Sequence, residues 1–168
     1  MKHLSGLRLL VFALISLAGC KAEESGDYFQ FDGRLFVFNY RVANAYYLVN
    51  IKRLRTIGPG LVAVVEFDDP AGGPPIVVRE KIWPDTRRTT INSPPVRCIV
   101  KDKPYKVVVQ IEDATGKLIQ MMETTMASNQ DQDILPDRPL VKGPFYDPNP
   151  QLKSPVSEAE APRPACPQ

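Results

Sequence analysis

The sequence predicts an all-β sandwich followed by a disordered proline-rich tail, and three observations lead there. About seven short segments between Arg34 and Met126 alternate apolar and polar residues with a period of two, the pattern of half-buried strands. Clusters of Gly, Pro, Asp and Asn interrupt them roughly every 8 to 12 residues, a spacing typical of sandwiches. From about Ala127 the composition shifts: nine of the seventeen prolines lie between Pro136 and Pro167, and apolar residues become sparse. Such a segment buries too little surface to offset its conformational entropy.

Taken in order, Leu35 to Val42 (LFVFNYRV) sets Phe36, Phe38, Tyr40 and Val42 on one face, and Ala45 to Leu54 (AYYLVNIKRL) groups Tyr47, Val49 and Ile51. Gly58-Pro59-Gly60 breaks the chain before Leu61 to Phe67 (LVAVVEF), where Leu61, Ala63, Val65 and Phe67 align. The run Asp68 to Pro75 (DDPAGGPP) forces a reversal, because Gly supplies positive φ and Pro holds a turn φ. Ile76 to Trp83 is the fourth strand, and the Thr-rich Arg87 to Asn92 is the fifth. Tyr105 to Ile111 alternates most clearly, with Tyr105, Val107, Val109 and Ile111 inward and Lys106 and Gln110 outward. Asp113-Ala114-Thr115-Gly116 reads as a hairpin turn into Lys117 to Met126; Ile119, Met122 and Met126 also fit helical spacing, and the hairpin decides for strand.

One local pattern narrows the class. Ile99, then Tyr105, Val107 and Val109, resembles the approach to the tyrosine corner of fibronectin type III and related immunoglobulin-like domains. The resemblance implies that the Tyr105 hydroxyl bonds to backbone a few residues upstream and fixes a crossover between the sheets. The tryptophan usual in the second strand is absent.

The start of the chain has a different logic. Lys2 and Arg8 precede an apolar run, Leu9 to Leu17, that is too short for the roughly 20 helical residues needed to span a bilayer. Basic start, short apolar centre and the small residues Ala18 and Gly19 form the layout of a cleaved signal peptide, residues 1–19. The tetrad Leu17-Ala18-Gly19-Cys20 resembles the lipobox of bacterial lipoproteins. That resemblance implies a diacylglyceryl group on the Cys20 sulfur, cleavage just before it and fatty acylation of the freed amine. Two or more acyl chains hold a protein on a membrane where one chain binds only marginally. Residues 20–27 then form a lipidated tether, 28–126 the sandwich and 127–168 the tail.

Composition removes several functions. Both net positive charges belong to Lys2 and Arg8, which leaves nineteen basic and nineteen acidic residues after Gly19; a nucleic-acid binder needs a basic excess. The one histidine, His3, lies in the cleaved segment, so His-dependent triads and His-bound zinc are excluded from the mature chain. No phosphate loop, nucleophile-base pair or metal spacing is present, and the expectation is a non-enzymatic protein without cofactor or metal. With Cys20 lipidated, Cys98 and Cys166 are an even pair in an oxidising compartment, candidates for a disulfide. Two free thiols, or a Cys166 bonded to another molecule, are the alternatives.

Candidate contacts are few. Tyr46, Tyr47 and Trp83 are aromatics of which at least some face outward on alternation, and exposed aromatics serve sugar or protein contacts as well as ordinary surface. Asp68, Asp69 and Asp85 lack the spaced oxygen array of a calcium loop. Lys52, Arg53 and Arg55 with Arg87 and Arg88 form either a solvated face or one that approaches anionic headgroups beside the anchor. The expectation is a lipid-anchored envelope module for an envelope protein or the cell wall, with a small-ligand or glycan-binding module as the alternative. Lys21 stands where lipoproteins retained in an inner membrane commonly carry Asp, which implies the outer membrane, facing the periplasm, in a host with two membranes. Replacing the sulfur by Cys20→Ser is expected to abolish incorporation of labelled fatty acid, and an undiminished label in the variant contradicts the anchor.

Overall fold

The computed structural model describes residues 26–153 and Cys166. The expected signal peptide 1–19, Cys20 and residues 21–25 of the expected tether, and tail residues 154–165, 167 and 168 therefore lie outside the described residues. Seven strands build the domain: β1 (Phe29–Asn39), β2 (Asn44–Arg53), β3 (Val62–Phe67), β4 (Ile76–Lys81), β5 (Arg88–Asn92), β6 (Tyr105–Glu112) and β7 (Leu118–Met126). They form two open antiparallel sheets, one ordered β1-β2-β5 and the other β4-β3-β6-β7. The chain changes sheet after β2, after β4 and after β5. Both sheets turn their apolar faces to a common core, so the architecture is an all-β sandwich.

Alternation explains the core directly. Tyr47, Val49 and Ile51 of β2 face Ala63, Val65 and Phe67 of β3 and Val107, Val109 and Ile111 of β6, all of them fully buried. Full burial of each such side chain contributes about 1.5–3 kcal/mol. The segment with mixed signals, β7, is a strand, and it ends on the buried Met126.

β1 departs from expectation at both ends. It begins at Phe29, six residues early in the chain, because the register slips between Phe31 and Arg34, with Gly33 at φ +136°. A bulge inserts one extra residue, so Phe29 and Phe36 both point inward although an odd spacing separates them. At the other end Tyr40 and Val42 leave the strand for the turn that Ala43 closes at φ +52°. Gln120 of β7 joins the sheets at the start of β1: its Oε1 accepts the Tyr28 and Phe29 amides at 2.8 and 2.9 Å, and its Nε2 donates to the Phe29 carbonyl at 2.9 Å.

An aromatic knot lies near the opposite end. The Tyr47 ring packs 4.4 Å from Phe36, 4.9 Å from Phe67 and 6.4 Å from Tyr105, which links the two sheets. Its hydroxyl donates to the Asp68 carbonyl at 2.8 Å, and burial pushes that hydroxyl far above the ordinary tyrosine range. Tyr105 accepts the Val100 amide at 2.9 Å and donates to the Cys98 carbonyl at 3.5 Å. Burial raises the Tyr105 hydroxyl as well, against the Val100 amide, which lowers it. Tyr105→Phe leaves the Val100 amide without its acceptor and is expected to cost about 1–3 kcal/mol. Urea titration should show a lower midpoint at unchanged slope; an unchanged midpoint contradicts the assignment.

Candidate functional site

The three aromatics singled out by sequence do not meet. Tyr47 is fully buried at the centre of the core, so its candidacy as a ligand contact is corrected: alternation had already grouped it with Val49 and Ile51. Tyr46 is half-buried on the outer face of its sheet, opposite Val37 and close to the β1–β2 turn. Trp83, 55% exposed, follows β4 at the other end of the sandwich, where Lys81 Nζ sits 3.8 Å from the ring centroid. Its carbonyl accepts both the amide and the hydroxyl of Thr86, at 3.1 and 2.9 Å, which closes a tight turn around Pro84 and Asp85.

The acidic residues serve the backbone. Asp69 accepts the Ala71 and Gly73 amides at 2.9 and 3.2 Å, and Asp68 accepts the Lys106 amide at 2.6 Å. Among the described residues no group of three His, Cys, Asp or Glu side chains is placed to hold a metal ion. None of their helices is long and apolar enough to cross a membrane.

The register gives the domain two distinct ends. Phe29 of β1, Arg53 of β2, Arg88 of β5, Lys81 of β4 and Val62 of β3 share one end, where the described chain begins at Gly26. At the far end lie the β1–β2 turn, the crossover from β5 to β6 and the start of the tail.

Residues 127–153 of the tail are built onto that far end, so the disorder expected from residue 127 does not hold over this stretch. Ser128 is buried and its carbonyl accepts the Asp102 amide. Gln132 opens a short 3-10 turn (Gln132–Ile134); its Oε1 accepts the Ile99 amide at 3.1 Å and its Nε2 donates to the Val96 carbonyl at 3.0 Å. Leu135 then enters the core. The physical reason is local: a polar tail with one long amide and one leucine satisfies the exposed backbone of a crossover that has no ladder partner.

Beyond Leu135 a small hairpin forms from β8 (Val141–Lys142) and β9 (Asp147–Pro148). The Leu140 and Val141 amides both donate to the Arg41 carbonyl, and the Arg41 guanidinium lies 4.7 Å from the Tyr146 ring centroid. Buried Asn149 donates to the Pro139 carbonyl at 2.7 Å. At the hairpin tip Phe145 is 85% exposed beside Tyr146. Sequence reasoning missed this pair by treating the segment as featureless, although Gly143-Pro144 before it and Asp147-Pro148 after it are turn signals.

Next to the hairpin a depression of about 330 Å³ is lined by residues including Asn44, Pro95, Arg97, Gln132, Asp137 and Pro139. The Asn44 side-chain oxygen is buried there without a hydrogen-bond partner among the described residues. Exposed aromatics and a recess thus share the far end.

Cys98, buried at φ +67°, and exposed Cys166 are bonded at this end, with Cα atoms 5.3 Å apart across 68 residues of sequence. The bridge ties the end of the chain to the crossover that Tyr105 holds. No protein-family model matches the sequence, and a search of curated proteins finds no similar one. For a loop of this length, chain-entropy arguments give roughly 4 kcal/mol of stabilisation as an upper figure, since a denatured chain with residual contacts loses less entropy on cross-linking. Digestion of unreduced, alkylated protein should yield one peptide pair joined through these sulfurs, and Cys166→Ser should lower the unfolding midpoint. Two independently alkylated cysteines contradict both expectations.

Proposed function

We propose that this chain is a lipid-anchored bacterial envelope protein whose sandwich acts as a non-enzymatic binding or structural module. In this reading Cys20 carries the acyl chains, and the domain is immunoglobulin-like, of the fibronectin type III kind. Support for that finer fold comes from the three-plus-four division of strands and from a Tyr105 hydroxyl that bonds to backbone five and seven residues upstream. Tyr47 takes the central core position of the second strand, where the family usually has tryptophan.

The partner is an envelope protein or the cell wall, met by the end remote from the anchor. The observation that carries this is the hairpin tip: Phe145 is 85% exposed on a segment whose base is bonded to Arg41 and Asn149. Large aromatic side chains held outward on an ordered base are the usual anchors of protein contacts. A shared aromatic platform for a glycan has less support, because Tyr46, Tyr47 and Trp83 are dispersed.

A photo-crosslinking residue in place of Phe145 is expected to give one predominant adduct in whole cells. The same residue at Thr90, on the outer face of the three-stranded sheet, serves as the comparison. Adducts from Thr90 but none from position 145 would overturn the assignment of the far end.

A further inference from the structure

The end of the sandwich nearest the anchor has its own chemistry. Lys52 of β2 lies directly opposite Arg88 of β5, and like charges in register repel. Arg88 is paired with Asp32, whereas Lys52 is in no ion pair among the described residues. Arg87 is exposed on the adjacent loop, and its carbonyl accepts the Arg53 amide at 2.9 Å. The Arg53 guanidinium is bonded to the Pro84 carbonyl, so the β4–β5 loop is tied to the end of β2. Two apolar side chains emerge among these cations: Trp83, 55% exposed, with Lys81 over its ring, and Leu54, 46% exposed.

Of the acids at this end Asp32 and Asp113 are engaged, while Asp27, just before β1, is exposed and Glu80, beside Lys81, is half-buried, and both offset part of the positive charge. Asp32 faces Arg88, and the Asp113 carboxylate accepts the Thr115 hydroxyl and then the Thr115 and Lys117 amides inside its own hairpin, which holds it below the usual carboxylate range. Asp85 stands exposed in the Trp83 turn and offsets one cation.

We infer that this end is a docking surface for an anionic lipid bilayer. Trp83 and Leu54 enter the headgroup level, and Lys52, Lys81 and Arg87 pair with lipid phosphates. Tryptophan favours the membrane–water interface because one part of its ring is apolar and its N–H remains a donor. Each basic residue close to such a surface strengthens binding by roughly fivefold, and the attraction fades within a Debye length of about 8 Å at physiological salt. The inference rests on the Cys20 anchor for its cellular setting: Gly26 lies six residues beyond Cys20, a reach of at most about 20 Å, so the basic end stays beside the bilayer. Docked this way, the sandwich stands with the Phe145 hairpin directed away from the membrane.

Trp83 is the only tryptophan in the chain, so its fluorescence reports on this surface alone. The full chain, purified from membranes, is mixed with phosphatidylcholine vesicles with or without phosphatidylglycerol, the lipids carrying brominated acyl chains. The expected result is a blue-shifted, quenched Trp83 emission only with phosphatidylglycerol, reversed by salt at roughly 0.5 M, where the Debye length contracts well below 8 Å. Lys52→Glu with Arg87→Glu should weaken the quenching at least tenfold in lipid concentration at half-effect, with flotation on phosphatidylcholine unchanged. Identical emission on both vesicles, from protein that floats with both, overturns the docking surface and leaves the anchor standing. Protein that does not float on phosphatidylcholine but is quenched with phosphatidylglycerol supports docking and removes the anchor. An equal shift with soluble polyglutamate in the absence of vesicles also overturns the bilayer as the occupant.

Discussion

The Tyr105 hydroxyl is the contact on which the far end of this molecule depends. By accepting the Val100 amide and donating a hydrogen bond to the Cys98 carbonyl, it sets the path of the long crossover between the sheets. That path has few ladder bonds of its own: Val96 bonds to Ala45, and Ile99 is satisfied only by Gln132. The tail can settle on the domain because Tyr105 holds those groups in place, and Cys98 meets Cys166 for the same reason. The ring of Tyr105 meanwhile packs edge-on against Phe36 and Tyr47, which couples the crossover to the centre of the core.

The strands were legible because both sheets have one wet and one dry face, so nearly every strand shows period two. Tyr105, Val107, Val109 and Ile111 against Lys106 and Gln110 could be read without error. The start of β1 was hidden by the bulge at Asp32-Gly33, which shifts Phe29 out of phase with Phe36. The tail was hidden for another reason: its attachment uses single residues, Gln132, Leu135 and Asn149, and no periodicity betrays a contact made one side chain at a time. Of the candidate site, the cysteine pair could be named by elimination, whereas the grouping of Asn44 with Gln132 depends on a fold that brings residues 88 apart in sequence to one recess.

The molecule is polar in its layout rather than in its net charge. The end where β1 begins carries cations around Trp83 and Leu54, and the opposite end exposes Phe145 and Tyr146 beside a recess. Residues 20–168 contain no histidine, the side chain that ordinarily changes charge near neutral pH. Between the two ends the sheet faces carry ordinary ion pairs, Arg79 with Glu112 and Lys106 with Glu123, each solvent-exposed and of small energetic value.

The Gln120 clip gives this layout a mechanical side. If, as proposed, lipid holds one end and a partner the other, the chain is loaded along its length. Tension enters at the start of β1 and leaves from the end of β7, both strands lying parallel to the pull. Sliding β1 out requires many β1–β2 bonds to yield together, where peeling an edge would break them one at a time. The three Gln120 bonds take the first share of that load, because they join the entering backbone at Tyr28 and Phe29 to β7 of the other sheet. Resistance to extraction then follows the rate at which this clip and ladder open under force, a kinetic quantity that equilibrium stability does not report.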